Sequence, residues 1–434
     1  MWQFRNSRSL AGMSTPDGLV KRRILDVALE RVQESPVVLL EGPRAVGKST
    51  LLQQIADRFG GRVLDLDDVD TREAVAQDPT TMLGDPGPVL IDEYQHAPIV
   101  LDVIKTRMNT SSRPGQFILT GSARHESLPR AAQALTGRLQ RLLVLPLAQS
   151  EINGTQPGLL ARLLTAPDSA VHPTPSSTTR EEYIERIARG GFPLALAAAT
   201  DPARSRWIDN YVRLTLERDV QELSRIRQAR TLPIVLERSA GQTAQVLNAA
   251  QLAHDAGIDE KTARDYLRLL EAVFLIQLVA PWDRTLTKRT SARPKVHMVD
   301  TAVSSRLLRL TPAKLARRDP AALTEFGHLL ETFVVQELLK EVSWTDGIAG
   351  FGHWRTRDDL EADLVIEADD GRVVAFEIKA AARISGADFR GLRHLRDLLG
   401  DTFVAGVALY TGARSYTYED RLHVMPVDKL WQEL

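Results

Sequence analysis

The stretch GPRAVGKST, residues 42–50, sets Gly42 and Gly47 around a four-residue bend and follows them with Lys48, Ser49 and Thr50. Glycines at this spacing let backbone N–H groups wrap a chain of phosphates, and a helix starting behind them adds its positive end. Gly42, Pro43, Arg44, Ala45, Val46 and Gly47 would form the cradle, with Thr50 in the same loop. Lys48 would reach the β- and γ-phosphates, and Ser49 would ligate Mg²⁺. The chemistry implied is binding of a nucleoside triphosphate, ATP, with its magnesium ion. The plainer alternative is a glycine turn ahead of a helix.

A second constellation supplies the reactive half. Asp92 and Glu93 end the apolar run VLIDE. Asp92 there could hold Mg²⁺ through water, and Glu93 could polarise a water for attack on the γ-phosphate, which favours hydrolysis over transfer. Thr120 or Ser122, ending FILTGS, could sense that phosphate or water; serine and threonine also end strands for turn chemistry alone. Arg138, just ahead of LQRLLVLPL, could enter a neighbouring subunit's site, with Arg141 and Arg124 as competitors and a plain surface role as the alternative.

The elements that must position these groups are legible. PVVLL, GRVLDLDD, GPVLIDE, GQFILTGSA and LQRLLVLPL read as five strands alternating with helical stretches such as STLLQQIADRF. That order argues for an α/β domain with a parallel sheet between helices. At 434 residues the chain is too long for one core. Its 55 basic and 56 acidic residues confine any nucleic-acid surface to a local patch. The absence of cysteine excludes disulfides and thiolate chemistry and fits a reducing compartment. With no apolar run long enough to span a bilayer, a soluble, cytoplasmic protein without a membrane partner is expected. The nine histidines show no metal-binding spacing.

Three stretches beyond residue 165 carry further expectations. APDSAVHPTPSSTT reads as a flexible linker, and ARSRWIDNYVRLTLERDVQELSRI as one long helix with Trp207, Tyr211 and Leu214 on a packing face. NAAQLAHDAGIDEKTARDYLRLLEAVFLI reads as two helices around a tight turn, with Ala263, Tyr266, Leu267 and Leu270 buried. AVFLIQLVAP and PKVHMVD would then form a hairpin wing. Lys261, Arg264 and Arg268 on the second helix, with Arg284, Lys288, Arg289, Arg293 and Lys295 around the wing, would meet DNA phosphates. A winged helix used for packing or protein contacts is the alternative.

The last third has the order α-β-β-β-α-β. Glu331 lies on its first helix, Asp363 on the second strand, and Glu377 and Lys379 on the same side of the third. Two carboxylates and a lysine on adjacent strands suit Mg²⁺-assisted phosphodiester hydrolysis. If Phe376 and Ile378 are the buried partners, Glu377 and Lys379 would instead be a solvated face.

GPRAVGKSTLL, VLIDEYQHAP, FILTGSA and LTGRLQRLLVLPLAQSE resemble the prokaryotic AAA-type P-loop ATPases with a conserved C-terminal region, and RGGFPLAL and YVRLTLERDV extend the likeness. It implies an ASCE-type ATPase in which Lys48, Ser49, Asp92 and Glu93 have the roles above. The last third resembles the restriction-endonuclease-like core. That likeness implies Glu331 as helix acid, Asp363 and Glu377 as metal ligands and Lys379 as catalytic lysine. The proline-acid element usual before the first acid is absent, since Asp363 follows LEA, and this puts activity in question more than fold. The expected architecture is a lead-in (1–30), an AAA-type P-loop ATPase (31–165), a linker and helical lid (166–230), a winged helix (231–310) and a restriction-endonuclease-like α/β domain (311–434). The expected function couples ATP turnover to DNA binding, with or without nuclease activity, in a chain able to form a homo-oligomer. An ATP-gated DNA- or protein-binding switch with an inactive nuclease-like domain is the alternative.

Overall fold

The computed structural model of the protein describes residues 19–84, 87–125, 135, 137–220, 231–283 and 293–433. Its first sheet comprises β1 (Val37–Glu41), β2 (Arg62–Asp65), β3 (Val89–Asp92), β4 (Phe117–Gly121) and β5 (Leu139–Leu143) in the order β2-β3-β4-β1-β5. Every pairing is parallel. β1, β3 and β4 are buried along their whole length, the pattern of strands covered on both faces. The five strands expected from sequence are those observed. β4 separates β1 from β3, so the lysine loop after β1 and the acids after β3 face each other across the end of β4. Helices α1 (Ile24–Glu34), α2 (Lys48–Phe59), α3 (Val69–Gln77) and α4 (Ile99–Thr110) pack around this sheet. α1 contributes Ile24, Ala28 and Val32 to the core.

α5 (Leu159–Thr165) and the turn after it belong to the C-terminal core, not to the ATPase or to a free linker: Leu159, Leu160, Leu163, Leu164 and Ala170 pack with Phe333, Phe376 and Trp431. The stretch expected to be a flexible linker is likewise pinned. Asp428, fully buried, accepts hydrogen bonds from the hydroxyls of Ser176 and Thr178, and Ser176 N donates to Ala413 O at 2.7 Å. Its polar residues have specific partners, which composition alone does not reveal. α6 (Arg180–Arg189) begins with a Thr179/Glu182 capping box. α7 (Asp201–Leu214) follows, then a π-type turn at Thr215–Asp219; residues 221–226 of the expected long helix lie outside the described residues. Trp207 and Tyr211 stack with centroids 5.4 Å apart, whereas Leu214 is exposed.

The middle region has α8 (Leu232–Gly241), α9 (Ala249–Ala256) and α10 (Glu260–Ala272) against a small sheet of β6 (Gln245–Val246), β7 (Ile276–Val279) and β8 (Lys295–Met298), in the order β6-β8-β7. Gly257, at φ +66°, ends α9, and Asp259 caps α10 by accepting from Thr262 N at 2.9 Å. Ala263, Tyr266, Leu267 and Leu270 are buried as their spacing requires. α11 (Thr301–Leu307) leads into α12 (Pro320–Ser343).

The C-terminal sheet has β9 (Ile348–Arg355), β10 (Glu361–Ala368), β11 (Val373–Lys379), β12 (Phe403–Tyr410), β13 (Tyr416–Glu419) and β14 (Leu422–Pro426) in the order β13-β14-β12-β11-β10-β9. β9, β10 and β11 are antiparallel neighbours, and β12 and β14 continue in parallel to β11. α12 packs on one face of this sheet; α13 (Arg390–Leu399), through Leu392 and Leu395, packs on the other. The α-β-β-β-α-β order is as expected. β13 and β14 extend the sheet beyond it. No helix among the described residues is long and apolar enough to cross a membrane.

Candidate functional site

The nucleotide loop leaves β1 at Gly42, where a Cβ would lie 2.1 Å from Val144 O, so only glycine fits against the end of β5. Ala45 (φ +60°) and Gly47 (φ +94°) are left-handed, and α2 begins at Lys48. Lys48 is buried and curls over its own loop, donating to Gly42 O at 3.0 Å and Pro43 O at 2.8 Å. Burial pulls its pKa below the usual lysine value against the opposing pull of Glu93 and Asp92. Ser49 is exposed at the helix start, with its hydroxyl reaching Asp92.

The acids are held as a unit. Asp92 closes β3, and Glu93 follows in the left-handed region at φ 51°, ψ 51°. For a non-glycine residue that conformation costs roughly 1 kcal/mol or more, tolerated where surrounding bonds over-determine it. Here Glu93 N donates to Thr120 Oγ1 at 3.0 Å, and Thr120 Oγ1 donates to Asp92. Thr120 therefore joins the two acids through its position on the intervening strand. Gln95 Nε2 donates to the Glu93 carboxylate and to Ser122 Oγ, the latter at 2.9 Å. Burial would raise the Glu93 pKa, but Lys48 and Arg44 outweigh it and hold the carboxyl below its usual range. Burial instead raises Asp92. The two neighbouring carboxyls are thus shifted in opposite directions. Gln95 was missed from sequence; its only signal was a place two residues beyond Glu93.

Arg44 is more than cradle. Its Nε lies 2.7 Å from Asp219, a buried residue of the π-type turn after α7, so this chain ties the loop to the helices that follow. Of the three arginines weighed as fingers, Arg124 is engaged within the chain. Its backbone N donates to Ala272 O, its Nε to Glu271 O and its NH2 to Gln277 Oε1 at 2.9–3.1 Å. It clasps the end of β4 to the middle region. Arg138 is exposed beside β5 and donates to Asn109 Oδ1 at 2.9 Å; Arg141 lies 3.9 Å from Glu41.

In the middle region each basic side chain counted on α10 has an acid beside it except Lys261, for which no pairing is seen. Arg264 pairs with Glu260 and Arg268 with Asp265 at 2.8 Å. Arg284, Lys288 and Arg289 lie outside the described residues. Lys295 does not belong to an exposed wing. It occupies the central strand β8, is buried, and its Nζ sits 2.8 Å from Glu331 Oε1 and 2.8 Å from Asp363 Oδ1. The sequence showed it as one more basic residue near a loop; the register of β8 turned it into the neighbouring domain.

Asp363 and Glu377 lie on adjacent antiparallel strands, next to the Leu364↔Phe376 pair. Asp363 Oδ2 accepts from Ile378 N at 2.8 Å. Glu377 Oε1 pairs with Lys379 Nζ at 2.6 Å, while Oε2 is buried without a hydrogen-bond partner. Glu377 is 5% exposed, which rules out the solvated-face alternative at that position. Burial raises Glu377, with the Asp363 charge adding to it. Glu331 is raised to about 8, by burial and then by Asp363. Burial would raise Asp363 as well, but Lys295 outweighs it and keeps the group ionised. As the side chains stand, no three histidines, aspartates or glutamates among the described residues converge closely enough to hold a metal ion. The Lys295 ammonium lies between the helix acid Glu331 and the strand acid Asp363.

The parallel sheet, the lysine loop and the acids after β3 have the layout of a P-loop nucleotide-binding fold. Residues 34–153 match the family model described as AAA domain. Residues 180–314 and 326–430 match two models described as domains of unknown function, DUF8612 and DUF4143. An uncharacterized protein of Mycobacterium tuberculosis and one of Mycobacterium bovis are each 27% identical over 414 residues, covering 95% of this chain and 85% of theirs. Among solved structures, a Walker-type ATPase of Pyrococcus abyssi aligns at 16% identity and a TM-score of 0.42, over 69% of this chain and 99% of that one.

Proposed function

We propose that the protein hydrolyses ATP with Mg²⁺ and uses the turnover to control its middle and C-terminal domains on DNA. The carrying observation is Glu93, fixed in a left-handed backbone with Lys48 and Arg44 holding its carboxyl below the usual range. The residues present fit Mg²⁺·ATP. Ser49 and Asp92 are already within reach of each other, and Lys48 is poised over the loop on carbonyl oxygens that a phosphate would replace as its partners. The backbone from Gly42 to Thr50 binds the phosphates, and Ser49 and Asp92 hold the ion. Glu93 orients and deprotonates water, kept in place by Gln95, and Thr120 reports the state of the γ-phosphate to both acids. Arg138, exposed at the domain edge, is the finger offered to a neighbouring copy. Glu93→Gln should retain ATP binding and lose turnover; unchanged turnover would refute the assignment.

The reading of the C-terminal domain as a restriction-endonuclease-like core rests on the α-β-β-β-α-β order and on Asp363 facing Glu377 with Lys379 beside it. In that reading Glu331, Asp363 and Glu377 hold Mg²⁺ and Lys379 steadies the attacking water. The winged-helix reading of the middle region rests on α9, α10 and the β6-β8-β7 sheet; DNA reaching Arg264 and Arg268 must displace Glu260 and Asp265. The alternative, a DNA- or protein-binding switch whose nuclease-like domain does not cut, is favoured by the acid pair already satisfied by Lys295. Incubating plasmid DNA with Mn²⁺, with and without ATP, beside Lys379→Ala separates the two. Cleavage lost in the variant supports the nuclease, and binding without cleavage supports the switch.

A further inference from the structure

Lys295 is the place where the middle domain enters the C-terminal site. β8 is the central strand of its sheet, with Lys295 opposite both Val246 and Val279. That sheet is docked tightly on β9. Trp282 N donates to His353 O at 2.6 Å, His353 N to Ala280 O at 3.0 Å, and Trp282 Nε1 to Glu367 Oε2 at 2.9 Å. A Cβ at Gly352 would lie 2.6 Å from Ala280 O, so this approach requires glycine. The docking fixes the Lys295 ammonium 2.8 Å from an oxygen of Glu331 and of Asp363. The third carboxylate beside them, Glu377, keeps Oε2 buried and unpartnered. An ammonium satisfies two acids at about 2.8 Å, whereas Mg²⁺ binds oxygen at about 2.1 Å and takes more ligands than two. With the ammonium between Glu331 and Asp363, there is no room for a metal ion on the same two oxygens.

We propose that Lys295 and a divalent metal ion compete for one site among Glu331, Asp363 and Glu377, so that the middle domain closes the C-terminal site with its own cation. The inference rests on the reading of these carboxylates as metal ligands. Entry of the metal requires the ammonium to leave, and the ammonium leaves with β8. Arg124 bonds the end of β4 to Glu271 and Gln277, so the body that carries Lys295 is attached directly to the nucleotide domain.

The test measures Mn²⁺ binding to the full chain without nucleotide, by titration calorimetry, for wild type, Lys295→Met and Lys295→Met/Asp363→Asn. A tethered competitor acts at an effective concentration on the order of millimolar or more. Its removal should tighten Mn²⁺ binding by about tenfold or more, and the second substitution should abolish the gain. Lys295→Met should also melt lower in EDTA and recover on adding Mn²⁺. Binding equal to wild type, with a melting loss that Mn²⁺ does not restore, would show Lys295 to be an ion-pair strut and overturn the competition. Lys295→Gln, which keeps an N–H donor for the acids, is read in the same way if the methionine variant does not fold. DNA cleavage is scored separately. A variant that binds Mn²⁺ tightly and cuts nothing sinks the nuclease reading and leaves the competition standing. A metal-free wild type that gains cleavage on Mn²⁺ as readily as Lys295→Met does the reverse.

Discussion

The nucleotide site and the C-terminal carboxylates are both buried clusters of acids answered by lysine, yet they are built in opposite ways. Lys48 stands at the end of the loop it serves and bonds that loop's carbonyl oxygens, while its charge helps hold the Glu93 carboxyl below the usual range. Lys295 arrives from another domain and bonds the acids themselves. A lysine on backbone oxygens gives them up to a phosphate at little cost. A lysine between two buried carboxylates leaves only if another cation replaces it, because an unpaired buried charge is far more expensive than a paired one. In the proposed reading the first site is open to its ligand, and the second is closed by the chain's own lysine.

The contrast can be broken most forcefully at the nucleotide site. Glu93→Gln should lower ATP turnover by about 10²–10⁴-fold with nucleotide binding kept, measured by phosphate release and by fluorescent-nucleotide titration. Lys48→Ala should lose binding as well. A mild effect of either would mean the acids and lysine are not poised as described. At the second site, Lys295→Met without metal should cost about 3–5 kcal/mol in urea unfolding, the usual penalty for removing one partner of a buried pair.

Glu341 sharpens the point, because it is a buried acid on the same helix as Glu331 with no ammonium bound to it. It accepts from Leu160 N at 3.0 Å, and burial raises its pKa to about 7. Its folded value lies above its unfolded value. Its contribution is therefore fully present below the unfolded pKa and is lost as pH rises from there to about 7, the window in which only the unfolded chain is ionised. The shift corresponds to about 3 kcal/mol. The wild type should lose more stability than Glu341→Gln between pH 4 and pH 8 by about that amount, compared by urea midpoints. Asp363, held down by Lys295, contributes with the opposite sign and loses its contribution as pH falls. The smallest effect belongs to α10, where Arg264→Ala and Arg268→Ala remove exposed pairs and should each change stability by less than about 1 kcal/mol. Any larger effect of theirs should appear in DNA affinity and its salt dependence.

What could be read without coordinates follows this division. The five strands, the loop from Gly42 to Thr50 and the acids after β3 are written in contiguous stretches, because a phosphate loop and the strand before it are local structures. The α9–α10 pair was legible for the same reason: its cap, its left-handed glycine and its buried face lie within one run. Other features had no local signal. Ser176 and Thr178 look like linker residues until Asp428, some 250 positions away, accepts from both. Leu159 to Leu164 read as the tail of one domain until they meet Trp431 of another.

Sequence by itself determined which residues can do chemistry and the strands and helices that carry them, since residue type, glycine placement and apolar period act over a few neighbours. Only the tertiary structure decided that the Glu93 carboxyl is lowered while that of Asp92 is raised, that Gln95 bonds Glu93, and that Lys295 stands between Glu331 and Asp363. The physical reason is that burial and charge pairing depend on distance in space. Register between strands and docking between domains set that distance, and the order of residues along the chain does not.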